Sequence, residues 1–152
     1  MDNLINDKID TFIMTSMKNH DTVRTETLRA IKAAFLNWKT DKNNVGKVLD
    51  ENAEIQILKR MIKQREESVD QYRTAGRADL ATAELGQIAI IDEFLPAEAT
   101  EADIEKAFEE IRTSGDLELI KANMGLFVKG IKALLPTANG KLVAQIVSSK
   151  LS

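Results

Sequence analysis

Apolar side chains recur at steps of three and four along most of the chain, the spacing that lines one face of an α-helix. Leu4, Ile5, Ile9, Phe12, Ile13 and Met17 predict a first helix, capped by Asp2 or Asn3 and broken at Asn19-His20-Asp21. Val23, Thr27, Ile31, Phe35 and Trp38 form the stripe of a second, which gives way to a polar loop at 41–46. Asp50 is placed to cap a long third helix with a narrow seam of Ile55, Leu58, Ile62, Arg65, Val69 and Tyr72, as in paired antiparallel helices. Gly76 stops it, because glycine accepts the left-handed backbone after a last turn. A fourth helix over 79–94 carries Leu80, Glu84, Ile88, Ile91 and Leu95, and Pro96 ends it.

Thr100-Glu101-Ala102-Asp103 has the pattern of a capping box for a fifth helix, with Ile104, Phe108 and Ile111 inward and Ser114-Gly115 at its end. A sixth helix over 122–135 buries Met124, Phe127, Val128, Ile131 and Leu134. After the turn 136–140, a seventh over 141–151 buries Leu142, Ile146 and Leu151. No stretch alternates with the period of a strand. The expectation is an all-α, multihelical fold: a larger N-terminal lobe over 1–96 and a small three-helix C-terminal lobe over 97–152.

Composition sharpens this reading. At 152 residues, 43% apolar and 30% charged, the chain suits a folded core and is too apolar for disorder. It has no cysteine, which excludes disulfides, thiolate catalysis and cysteine metal sites and fits a reducing compartment. One histidine, His20, excludes a multi-histidine metal site and reads as a surface or capping residue. Apolar runs stop at four residues, too short for a membrane span or a secretory signal, so a cytoplasmic protein without a membrane partner is expected.

Charge is unevenly placed. Residues 98–118 hold eight acids against Lys106 and Arg112, a net of −6. Residues 119–152 hold Lys121, Lys129, Lys132, Lys141 and Lys150 with no acid, a net of +5. Residues 18–65 carry eleven bases against six acids, again +5, including Lys59, Arg60 and Lys63 on two turns of the third helix. Segregated charge is commonly a solvated helix face, but a one-signed stretch is also what meets phosphate. Neither GxGxxG nor GxxxxGK[ST] occurs. Arg65 and Glu84, in the seams of successive helices, read as a structural pair that sets register.

The run 58–68, Leu-Lys-Arg-Met-Ile-Lys-Gln-Arg-Glu-Glu-Ser, resembles a signature of the YqeY-like family. So do Tyr72, Ala75-Gly76-Arg77, Asp79-Leu80, Glu84, Ile88 and Phe94-Leu95-Pro96, and so does Leu28-Arg29-Ala30-Ile31-Lys32 upstream. Met124-Gly125 and Ala138-Asn139-Gly140-Lys141-Leu142-Val143 match its C-terminal elements. Gln87 stands where glutamate is common. Leu126 stands where many relatives carry lysine, and Pro136-Thr137 where they carry glycine and a base.

The family is similar to the C-terminal tail domain of the B subunit of the tRNA-dependent Asp/Glu amidotransferase, a tail that contacts tRNA away from the chemistry. The resemblance implies a tRNA-related role without an amidotransferase active site. The leading expectation is therefore a non-catalytic tRNA-associated adaptor without a cofactor or a DNA partner. Lys121, Lys129, Lys132, Lys141 and Lys150, with the backbone at Asn139, Gly140 and Lys141, would hold phosphates, and Lys59, Arg60 and Lys63 form a secondary basic face. A docking module for an aminoacyl-tRNA synthetase or amidotransferase subunit is the second reading. The third, a carbon–nitrogen ligase with glutamine as amido-nitrogen donor, is the activity that family membership would suggest.

Overall fold

The structure, a computed structural model, describes residues 4–151. Among them it is all-α. Its helices are α1 (Ile5–Lys18), α2 (Thr22–Thr40), α3 (Glu51–Thr74), α4 (Ala78–Asp92), α5 (Glu101–Gly115), α6 (Met124–Leu134) and α7 (Gly140–Lys150). Short 3-10 turns at Lys42–Asn44 and Lys121–Asn123 precede α3 and α6. The chain divides into two compact units, the first ending at Leu95 and the second beginning at Pro96.

In the first unit, α3 and α4 form a hairpin, α1 pairs with α2, and α2 also packs on α4. Ile9, Leu28, Ile31, Phe35, Leu49, Leu58, Met61 and Ile91 make the core. Both helix pairs turn by the same device. At the end of α1 the His20 amide donates to the Met17 carbonyl (3.1 Å) and Asp21 to Ser16 (3.0 Å), with His20 at φ 56°. At the end of α3, Gly76 donates to Arg73 and Arg77 to Tyr72, with Gly76 at φ 73°. Each is a Schellman turn, which needs a left-handed residue just past the helix. His20 is thus the exposed capping residue expected, occupying a backbone region that glycine enters at less cost.

Two inward expectations fail. Met17 and Val23 are each 51% exposed. Ser16 and Thr25 take the inward positions instead and share a 2.7 Å hydrogen bond in the buried α1–α2 contact. Thr25 and Thr27 also donate to the carbonyls four residues back (2.8 Å each), which lets hydroxyls be buried where hydropathy alone would place valine or methionine.

The anticipated cap at Asp2 or Asn3 lies outside the described residues. The start of α1 is instead satisfied from a distant segment. The buried Glu54 of α3 accepts from the Ile5 amide at Oε1 (3.0 Å) and the Asn6 amide at Oε2 (2.7 Å). These are first-turn donors that the helix itself cannot use, and a carboxylate there also opposes the helix dipole. Arg24, at the start of α2, makes a two-pronged pair with Glu93 just after α4 (3.0 and 3.1 Å) and lies over the Phe94 ring.

In the second unit α5, α6 and α7 pack around Ile104, Phe108, Phe127, Ile131, Val143, Ile146, Val147 and Leu151. The capping box forms as expected: Thr100 accepts from the Asp103 amide while Asp103 accepts from the Thr100 amide. Leu134, expected inside, is 49% exposed, because Ile131 and Leu135 take the inward positions of the last turn.

Removing the Glu54 carboxylate leaves two first-turn donors without it. Glu54→Ala is expected to lower unfolding stability by about 1–3 kcal/mol, and Glu54→Gln, which keeps one carbonyl oxygen, by less. Urea unfolding of the two variants measures this. Equal midpoints for wild type and Glu54→Ala would show that the cap contributes nothing.

Candidate functional site

The acid-free stretch supplies the lysines, and α5–α6 packing decides where they point. A Cβ on Gly130 would lie 2.8 Å from Ile111 Cδ1, so a larger residue there requires the end of the Ile111 side chain to move. Phe108 and Phe127 stack beside it, ring centroids 4.4 Å apart. With Phe127, Gly130 and Ile131 turned toward α5, Lys129 and Lys132 are left exposed, three residues apart on α6.

Lys132 reaches across to α7. A Cβ on Gly140 would stand 3.2 Å from its Nζ. The Lys132 ammonium group therefore lies against the first residue of α7, next to exposed Lys141. Lys150 is separate. It lies nine residues beyond Lys141, about 13 Å along the helix, and its Nζ sits 5.6 Å from the Phe108 ring centroid. Lys121 is exposed in the 3-10 turn before α6. The five lysines thus do not make one strip. Lys132 lies beside the start of α7, where exposed Lys141 stands next in sequence to Gly140; Lys129 is three residues back on α6, and Lys121 and Lys150 are farther along the chain.

The backbone at the start of α7 is less open than expected. Asn139 caps the helix with its own side chain, Oδ1 accepting from the Lys141 (2.9 Å) and Leu142 (3.1 Å) amides. The Lys141 amide, one of the backbone donors expected to meet phosphate, is therefore already engaged.

The acidic helix comes close by. Asp103 and Glu110 of α5, with Lys106 and Ala107 between them, line a shallow groove completed by Leu134 and Leu135. The Asp103 carboxyl is held below the usual carboxylate range, chiefly by the Thr100 amide and then by its hydroxyl. A depressed folded-state pKa stabilises above the unfolded value, near 4, and that support fades as pH falls through the folded one. The capping box at the α5 N-terminus is thus expected to weaken as pH falls below the usual carboxylate range, which pH-dependent amide exchange of the first turn of α5 would read.

The remaining basic residues lie in the first unit. Arg60 and Lys63 are exposed on α3 and Lys59 is half-buried. Arg65 corrects one expectation. It does not pair with Glu84. Its Nε donates to Gln87 Oε1 (2.9 Å) and its Nη1 to the Met61 carbonyl (3.3 Å). Residue 87 is one turn beyond 84 on α4, so the hairpin register brings the amide to the guanidinium. The role remains structural: a polar link inside the α3–α4 seam.

Gly130 and Glu54 escaped the sequence reading. The first was legible as a glycine inside a helical stripe, between Phe127 and Ile131. The second was an acid one position before an expected core residue, Ile55. Among the described residues no cluster of three histidines, aspartates or glutamates is placed to hold a metal.

A family model described as YqeY-like protein matches residues 6–151, and the chain belongs to that family. It is 30% identical over 132 residues to "Altered inheritance of mitochondria protein 41, mitochondrial" of Lachancea thermotolerans, covering 85% of this chain and 66% of that protein. It is 32% identical over 89 residues to an uncharacterised protein of Schizosaccharomyces pombe, covering 58% and 69%. The matches thus span about two thirds of those curated relatives' lengths. Among the described residues no helix is long and apolar enough to cross a membrane.

Two helical glycines offer a matched test of the α5–α6 approach. Nothing lies within 4 Å of a Cβ on Gly86 of α4, whereas Gly130 meets Ile111. Gly86→Ala is expected to raise stability by up to about 1 kcal/mol through helix propensity. Gly130→Ala gains the same propensity but displaces Ile111, and is expected to fall short of it by at least about 1 kcal/mol. Equal effects in denaturant titrations would show that the close approach is not energetically significant.

Proposed function

We propose that this member of the YqeY-like family is a non-catalytic, tRNA-associated adaptor that holds RNA phosphates through its C-terminal unit. The observation that carries the reading is the placement of the Lys132 ammonium beside Gly140 at the start of α7, where exposed Lys141 follows, with Lys129 exposed three residues back on α6, in a segment without a single acid. Ammonium groups spaced along two packed helices suit the repeating charge of a phosphate backbone. They do not suit base readout: the chain has seven aromatics, and Phe108 and Phe127 are spent stacking in the core. The resemblance to the amidotransferase tail points to folded tRNA as the RNA.

The bordering acids of α5 give this contact direction. RNA would approach across α6 and α7, with α5 away from the phosphates. The reading specifies a ligand chemistry and leaves the compartment open; one relative carries a mitochondrial name.

A second reading, docking on an aminoacyl-tRNA synthetase or amidotransferase subunit, draws on the exposed Leu119, Ile120, Leu126 and Leu134 of the same unit, which are 41–55% accessible. The carbon–nitrogen ligase alternative would need an activated nucleophile. The sequence has no cysteine, and its one histidine serves the α1–α2 turn.

Lys129→Glu with Lys132→Glu is expected to weaken bulk tRNA binding more than tenfold in a filter-binding titration. The fold should survive, since both positions are exposed and a glutamate at 132 would face the N-terminal end of α7, where negative charge is favoured. With about three lysines on phosphates, the wild-type log–log salt slope is expected to be about −2 to −3. Equal binding by both proteins, or none at low salt, would reject the RNA reading in favour of the docking one.

A further inference from the structure

The residue that caps α7 is also the most reactive asparagine of the chain. An asparagine side chain is open to attack by the backbone nitrogen of the next residue, and a Cβ on that residue obstructs the approach. Of nine asparagines, Asn139 alone is followed by glycine. It is exposed, so water reaches its amide.

The fold holds the reacting atoms apart. Asn139 Oδ1 accepts from the Lys141 and Leu142 amides (2.9 and 3.1 Å), which directs the side chain past Gly140 and along the first turn of α7. The Asn139 carbonyl accepts from the Val143 amide (2.9 Å), which fixes its extended backbone at φ −69° and ψ 119°. For the Gly140 nitrogen to reach Asn139 Cγ, the side chain must release both amides and the backbone must rotate, breaking the first bond of the helix. Short helix ends open locally far more often than the whole domain unfolds.

We propose that Asn139 is a spontaneous deamidation site, masked by its own capping bonds and reactive when the first turn of α7 opens. Hydroxide removes the Gly140 amide proton, and the nitrogen attacks Asn139 Cγ. The N–Cγ bond forms and the Cγ–Nδ2 bond breaks, Nδ2 taking up a proton and leaving as ammonia. Water then opens the cyclic imide. Cleavage at Cγ gives aspartate, and cleavage at the backbone carbonyl carbon gives isoaspartate. Either product brings a carboxylate into the segment 119–152, which otherwise has no acidic side chain. It arises one residue before Gly140, against which the Lys132 ammonium group lies. Aspartate keeps the cap, because its carboxylate accepts from the same amides. Isoaspartate lengthens the main chain and loses it. The new charge lowers the attraction of this face for phosphate. That consequence rests on the proposed RNA role; the modification does not.

Incubation of the full chain at mildly alkaline pH, read by peptide mass spectrometry and isoaspartyl methyltransferase labelling, tests the site. Asn139 is expected to deamidate before any other asparagine, and at least about tenfold more slowly in the folded protein than in urea, because only the opened fraction reacts. Val143→Ala removes part of the buried anchor of α7 and is expected to speed the folded-state reaction by about fivefold, with its rate in urea unchanged. Gly140→Ala is expected to suppress the reaction in urea as well, where folding plays no part. Earlier modification of another asparagine, or equal rates at Asn139 in folded and unfolded chains, overturns the proposal. The consequence is read separately by bulk tRNA binding of Asn139→Asp at low salt, expected to be a few-fold weaker than wild type with helical circular dichroism unchanged. Equal binding by the two overturns the consequence. A wild type that binds no tRNA rejects the RNA reading and this consequence with it, while mass spectrometry alone decides the modification.

Discussion

In the second unit, the α5–α6 contact is packed around a position that carries no side chain. Gly130 lets α6 approach α5 until Ile111 occupies the space where a Cβ would be. Phe108 and Phe127 stack beside it, and the buried Phe127 and Ile131 set which face of α6 turns inward. Once α6 is rotated this way, Lys129 and Lys132 have no choice but the solvent side, and Lys132 can lie against the first turn of α7. A larger residue at 130 would first have to displace the Ile111 side chain. The basic surface is thus a consequence of core packing, as close-packed interiors transmit small volume changes into position.

The first unit has its own point of dependence, and it is electrostatic. Glu54 is buried because its two carboxylate oxygens receive the first amides of α1. A lone buried carboxylate would be costly; one that accepts two backbone donors at the positive end of a helix fixes where that helix begins. The Ser16–Thr25 hydroxyl pair near the other end of α1 does the same for its contact with α2. Both ends of α1 are therefore set by polar groups with specific geometry, while the apolar stripe between them supplies most of the burial.

The helices were legible because their periodicity, caps and breakers agreed. Asp50, Thr100 and Gly76 all do what their residue types suggest, and Pro96 stands where the second compact unit begins. What escaped were interactions between segments far apart in sequence. The Arg65 partner is the clearest case. Periodicity put Arg65 and Glu84 in facing seams, but one helical turn of register separates Glu84 from Gln87, and residue spacing does not report register between helices. Glu54 was hidden because an acid in the first turn of its own helix already has a local explanation. The lysines were visible as a charge excess, yet the reach of Lys132 from α6 to the first residue of α7 depends on tertiary packing. The Asn139 cap was legible as a residue type, but not its consequence, that the amide expected to meet phosphate is already taken.

The central claim is that the α6–α7 face, organised by Gly130, is where RNA phosphates lie. Lysine-reactivity footprinting of the folded protein, with and without bulk tRNA at low salt, addresses it residue by residue. The account predicts protection of Lys129, Lys132 and Lys141, with Lys63 on α3 and Lys106 on the acidic helix left reactive. Protection confined to Lys63 and its neighbours on α3, or no protection at tRNA concentrations that bind, would contradict it.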